Sequence, residues 1–108
     1  MLTLTPQKVT ISDPENLIST YDDATCDSGA HLHRSFCSRC GSRVRVANPA
    51  APHMVVVPLG ILSPEATADL KPNLEIYAKR RAAWLPAVDG AIQLHEAITP
   101  EAAAALSK

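Results

Sequence analysis

Nine prolines cut this 108-residue chain into pieces with little room for long helices. They stand at positions 6, 14, 49, 52, 58, 64, 72, 86 and 100. Each fixes φ and removes a backbone donor. One wide gap remains, between Pro14 and Pro49, and it does not carry a helical period. Leu17, Tyr21, Leu32, Phe36, Val44 and Val46 sit there among polar residues in short runs, as in half-buried strands. Strands are predicted near Lys8–Ile11, Leu17–Asp22, His31–Phe36, Arg43–Ala47, His53–Leu59 and Leu74–Ala78. Gly29, Gly41, Gly60, Asn48-Pro49 and Asp89-Gly90 mark turns. Val55-Val56-Val57 is a continuous apolar run, suited to a strand buried on both faces. Ser63-Pro64-Glu65 and Thr99-Pro100-Glu101 each read as N-cap, first-turn proline and first-turn acid. They predict short helices over Ser63–Leu70 and Thr99–Ser107. The expected fold is mainly β and antiparallel, with short peripheral helices.

The length fits one domain. Hydrophobic residues make up 46% of the chain, but seventeen are Ala and three are Cys, leaving thirty that are large and apolar. A core this thin invites a staple such as a metal. The formal net charge of -1 and pI near 6.4 argue against nucleic-acid binding by bulk charge. No apolar run approaches the roughly 18 residues that span a bilayer, so no membrane partner is expected. Met1-Leu2-Thr3-Leu4-Thr5-Pro6 lacks the basic region and apolar stretch of a secretory signal. Three cysteines make a disulfide framework a poor reading. Thiols used for metal in a reducing, cytoplasmic setting fit better.

The chemistry concentrates in Phe36-Cys37-Ser38-Arg39-Cys40-Gly41. A Cys-x-x-Cys-Gly knuckle lets both thiolates face one ion at about 2.3 Å, and the glycine allows the tight turn that follows. Arg34, Arg39, Arg43 and Arg45 surround the pair, which favours thiolates. Such a knuckle is half of a four-ligand zinc site. Other donors are Cys26, His31, His33, His53 and His95. Cys26 lies in an acidic loop with Asp22, Asp23 and Asp27, which should raise its thiol pKa. His31 and His33 share a strand face. A small zinc knuckle built from Cys26, Cys37, Cys40 and one of these two histidines is one reading. A second is a non-catalytic β module that binds a partner through the Arg34–Arg45 strip.

The run His33-Arg34-Ser35-Phe36-Cys37-Ser38-Arg39-Cys40-Gly41-Ser42 resembles the R-x-F-C-x-x-C-G-[ST] signature of the glutathione-dependent formaldehyde-activating enzymes, also called the CENP-V/GFA domain family. Pro58-Leu59-Gly60-Ile61-Leu62 resembles the strand and turn that follow in that family. Glu75-Ile76-Tyr77-Ala78-Lys79-Arg80-Arg81-Ala82-Ala83-Trp84-Leu85 resembles its closing E-I-x-x-K-x-R-x-x-W segment. The resemblance covers roughly residues 8–85. It implies a zinc-bearing β-tent fold and membership of the carbon–sulfur lyases, with S-(hydroxymethyl)glutathione synthesis as the named reaction. It also implies a structural zinc held by an early Cys-x-Cys and the late Cys-x-x-Cys-Gly, and a second zinc on a Cys-x-Cys-x-x-Cys triad. Cys37 and Cys40 match the late pair, while the early pair and the triad are absent.

From this follow the remaining expectations. Residues 1–86 correspond to the C-terminal part of the family domain, truncated at its N-terminus, and residues 87–108 form an extension with a short helix. Cys37 and Cys40 are the expected metal ligands; no catalytic or cofactor-binding residue is assigned. Two thiolates leave half the coordination sphere to water, so zinc should bind weakly and below one equivalent. A glutathione-like thiol is the expected partner, attracted by Arg34, Lys79 and Arg81. The chain itself should be inactive as a lyase. Trp84 reads as a core or rim anchor; the other reading makes it a cleft wall, with Arg81 reaching an anionic group of the substrate.

Overall fold

The computed structural model describes residues 2–106. It divides into two compact units, residues 1–68 and 69–108. The first is a five-stranded sheet of β1 (Leu2–Leu4), β2 (Ile18–Asp23), β3 (Leu32–Cys37), β4 (Arg43–Ala47) and β5 (Val55–Val57). Its order is β1-β5-β4-β3-β2, and every pairing is antiparallel. The mainly β, antiparallel expectation holds here.

The continuous valine run finds the position it is suited to. β5 lies between β1 and β4. Val55 and Val57 are buried, at 6% and 5% exposure, and stand opposite Leu4 and Leu2. Val56 faces the other side, half-buried, opposite the buried Val46. Among the described residues Ser35 is the buried polar one, and its hydroxyl shares a hydrogen bond with Thr20 Oγ1 at 3.0 Å. The β3–β4 register shifts between Ser35, opposite Arg45, and Phe36, opposite Arg43. The extra residue is Val44, and a bulge of this kind twists the arm leading to the cysteines.

The strand predicted at Lys8–Ile11 does not form. Pro6 starts a 3-10 turn over Pro6–Lys8, and the Val9 amide closes it on the Pro6 carbonyl at 3.1 Å. Proline's fixed φ favours that turn and offers no ladder donor. The first strand is instead Leu2–Leu4, which the alternation reading passed over. α1 (Pro64–Thr67) starts where Ser63-Pro64-Glu65 said, with the Ala66 amide donating to Ser63 Oγ at 3.3 Å. It is shorter than the predicted Ser63–Leu70.

In the second unit, β6 (Leu74–Glu75) and β7 (Ile92–Gln93) form a parallel pair, against the antiparallel expectation. β6 stops early because Tyr77 takes a left-handed conformation, φ 52 and ψ 38, and the chain turns into a 3-10 segment at Ala78–Arg80. Few large residues adopt that region without support. Here the Tyr77 and Ala78 amides donate to the Glu96 and Leu94 carbonyls at 2.9 and 3.0 Å. α2 (Pro100–Leu106) follows Thr99, whose Oγ1 accepts from the Ala102 amide at 3.2 Å. Ser107 of the predicted span lies outside the described residues. No helix among the described residues is long and apolar enough to cross a membrane.

Candidate functional site

The knuckle is the tip of the β3–β4 hairpin. Cys37 ends β3 and β4 begins at Arg43. The Gly41 amide donates to the Cys37 carbonyl at 2.7 Å, and the Cys37 amide to the Ser42 carbonyl at 2.9 Å. Gly41 sits at φ +76, the left-handed region that glycine enters without penalty. The Ser38 amide donates to the Leu17 carbonyl at 2.8 Å, tying the tip to the approach to β2. Asp13 in turn holds the Leu17 and Ile18 amides on its two carboxylate oxygens, at 2.8 and 3.0 Å.

Cys40 is exposed and Cys37 half-buried, and both are free thiols. Cys40 Sγ lies 3.3 Å from Ser42 Oγ. Its thiol is held below the ordinary value by hydrogen bonds, first from the Ser42 hydroxyl, then from the Ser42 backbone and the Cys37 side chain. The arginines do not carry this effect as the sequence suggested: Arg39, inside the knuckle, turns to Glu15 at 3.3 Å.

Cys26, His31 and His33 are not gathered with that pair. Ile18 pairs Cys37 at one end of the β2–β3 ladder, and Asp23 pairs Leu32 at the other. Five residue steps separate those ends, roughly 17 Å at about 3.4 Å per residue. The four-ligand knuckle of Cys26, Cys37, Cys40 and a histidine is therefore overturned by strand register. Among the described residues, no three His, Cys, Asp or Glu side chains form a group that could hold a metal. His31 is exposed, 3.9 Å from Asp22. His53 is exposed in the loop before β5, and His95 belongs to the second unit.

The Cys26 loop differs from its acidic appearance. Arg34 Nε donates to Asp23 Oδ2 at 2.8 Å, and Arg34 Nη2 lies 3.8 Å from Cys26 Sγ. Asp23 also accepts from the Thr25 amide and hydroxyl, at 2.9 and 2.8 Å. These contacts, the Thr25 amide foremost, hold its carboxyl far below the usual range. Asp23 in turn raises the Arg34 guanidinium above its ordinary value. An arginine, and not bare carboxylates, therefore meets this thiol.

The three cations expected to draw in an anion are each engaged. Arg34 holds Asp23, Lys79 holds Glu96 at 2.6 Å, and Arg81 holds Glu75 at 3.2 Å. Arg43 and Arg45 take no carboxylate among the described residues. Arg45 and His33 line an open groove of about 320 Å³ whose walls include Pro6, Pro49 and Met54. Nothing in the sequence pattern singled out this groove.

Trp84 is 82% exposed, so the anchor reading is overturned. It follows Ala82-Ala83 in a stretch whose neighbours Leu85 and Pro86 are exposed too. Trp84→Ala should therefore change unfolding free energy by less than about 0.5 kcal/mol, measured by chemical denaturation. A loss of about 3 kcal/mol, the cost of emptying a buried site, would contradict this placement.

A family model described as glutathione-dependent formaldehyde-activating enzyme matches residues 2–80. The match spans most of the chain, which therefore belongs to that family of formaldehyde-activating proteins. No curated protein and no solved structure matches the chain.

Proposed function

We propose that the chain is a zinc-associated relative of the carbon–sulfur lyases that make S-(hydroxymethyl)glutathione, and that this polypeptide does not itself perform the reaction. The carrying observation is the Cys37–Ser42 tip, where two thiols share one tight turn and Cys40 is shifted toward thiolate. Such donors suit zinc. They fit half a site only, because no third donor joins them among the described residues. In this reading Cys37 and Cys40 are structural, the sheets belong to a β-tent, and no chemical step runs through the metal. A reducing cytoplasm keeps the three cysteines as free thiols. The alternative, a non-catalytic β module that binds a partner, draws on the unengaged Arg43 and Arg45. A glutathione-like anion would also meet those two sooner than Arg34, Lys79 or Arg81.

Turnover needs an electrophile-activating centre in addition to charge attraction. The two closely spaced cysteines are committed to the hairpin tip, and Cys26 stands alone with Arg34 and Asp23. The test is nuclear magnetic resonance exchange between glutathione, formaldehyde and their adduct, with zinc added and the protein at high concentration. Exchange should remain at the buffer rate. Acceleration that Cys26→Ser abolishes would overturn the inactive reading and place the chemistry at the Cys26 loop.

A further inference from the structure

His33, Ala47 and Val55 form a row across β3, β4 and β5, each opposite the next. Opposite residues share one face of a sheet, so the three make a common floor. Two connections wall it. One is the 3-10 turn Pro6–Lys8 after β1, with Val9 at its end. The other is the loop from Asn48 to Met54 that joins β4 to β5. Floor and walls line the open groove of about 320 Å³. We propose that this groove binds a small organic monocarboxylate, with the carboxylate on Arg45 and an apolar body against the prolines and Met54. The site lies within the first unit, uses none of the cysteines and goes beyond the family reading.

Charge selects the anionic end. Arg45 stands opposite Ser35, and His33 stands opposite Ala47. The two are thus diagonal neighbours on one face, close enough for long side chains to meet one small group. Arg45 is exposed and takes no carboxylate among the described residues. Among the described residues that line the groove, none is acidic. Asp22 is the acid opposite His33 on β2, and its carboxylate lies 3.9 Å from His31. A guanidinium offers a planar fork that fits a carboxylate on two parallel N–H bonds. The imidazole adds a ring N–H whether neutral or charged. One permanent cation calls for one negative charge on the ligand.

The walls select the rest of the ligand. Pro6, Val9, Pro49, Pro52 and Met54 are apolar, as are Ala47 and Val55 beneath them. Asn48 also lines the groove, but its Oδ1 is spent on the Ala50 amide at 3.0 Å. That bond acts with the Ala51 amide on the Asn48 carbonyl at 2.9 Å and the Met54 amide on the Ala51 carbonyl at 3.2 Å. Together with the two prolines they fix the loop before a ligand arrives, so little ordering is lost on binding. Mostly apolar linings with a few placed polar groups characterise small-molecule sites, which run from about 300 to 1,000 Å³. This groove falls at the small end of that range. Glutathione, with two carboxylates and an ammonium, finds one cation and a wall of prolines here, which is a poor match.

Hexanoate is the probe, titrated into the 108-residue chain and followed by amide nuclear magnetic resonance. Signals of His33, Arg45, Ala47, Met54 and Val55 should shift together and saturate as one site. Acetate keeps the charge without the body and should bind at least about tenfold more weakly, for want of four methylenes. Hexanol keeps the body without the charge and should also lose about tenfold or more. Arg45→Gln, at an exposed strand position, should weaken hexanoate by about tenfold or more while the far-ultraviolet circular dichroism of the sheet persists. Lys71→Gln removes an equal charge from the second unit and should leave binding within about twofold. Acetate or hexanol binding as tightly as hexanoate would overturn the proposal, as would unchanged affinity in Arg45→Gln. Shifts that spread over the chain without saturating would overturn the groove as a site. Glutathione displacing hexanoate at equal affinity would overturn the apolar monocarboxylate as ligand and leave the family assignment standing.

Discussion

Val57→Asp should abolish the native sheet of the first unit. Val57 is 5% exposed and stands opposite Leu2 in the strand that joins β1 to β4. Its partner on β1, Leu2, offers a carboxylate no compensating charge, and burying a charge that is not fully compensated costs several kcal/mol in practice. A small domain is stable by only about 5–15 kcal/mol, and this one has few alternatives. Val46, Val55 and Val57 are the buried hydrophobic residues of this unit among those described. The milder Val57→Ala removes two methyl groups and should cost about 2 kcal/mol. Tyr21→Thr, on the edge strand β2 at 57% exposure, should stay within about 0.5 kcal/mol of the parent. Chemical denaturation followed by circular dichroism orders the three. Equal effects of Val57→Asp and Tyr21→Thr would contradict the placement of the core in β5.

Where the sequence was legible, one local force acted without competition. The Arg43–Ala47 strand was readable to the residue because Val44 and Val46 alternate between arginines and Gly41 ends the turn before it. The caps at Ser63 and Thr99 were readable because a hydroxyl before Pro-Glu has one good use. The knuckle was readable because Cys-x-x-Cys-Gly restricts both spacing and backbone. Legibility failed where tertiary contacts chose between local options. Val9 has an extended backbone, as predicted, but Pro6 diverts the chain before a ladder can form. Tyr77 ends β6 by turning left-handed, a conformation held by its own amide and that of Ala78 on the Glu96 and Leu94 carbonyls, which lie 19 and 16 positions further along the sequence. Trp84 looked like an anchor by residue type, yet burial depends on what packs opposite, which composition does not contain. The acidic Cys26 loop misled for a related reason. Arg34 is eight positions away in sequence, and hairpin pairing brings it within 3.8 Å of the thiol.

The second unit should lose structure in acid, and Glu75 should be the main reason. Glu75 Oε2 accepts from the Val88 amide at 3.0 Å, from Gln93 Nε2 at 2.6 Å and from Arg81 Nη2 at 3.2 Å. Arg81 also donates to Gln93 Oε1, which closes a knot of three side chains around the β6–β7 pair. These donors, the Val88 amide first, hold the Glu75 carboxyl below its ordinary value. Glu96 is lowered too, chiefly by Lys79. A carboxyl with a lowered native pKa is favoured as the anion by the fold, so its contribution is complete above the ordinary value of about 4.3. That contribution is lost as pH falls through the lower native value, when the fold must accept protons it resists. Native signals of residues 74–93 should therefore weaken progressively below about pH 4 in nuclear magnetic resonance spectra recorded across an acid titration. Glu75→Gln keeps the shape and one acceptor but cannot carry the charge. Its spectra should be weaker at neutral pH and flatter across the same titration. Glu75→Ala leaves the Val88 amide and the Arg81 guanidinium without their acceptor and should lose these signals at neutral pH. Signals that strengthen on acidification, or a Glu75→Gln profile that parallels the parent's, would show that this carboxylate does not hold the unit together.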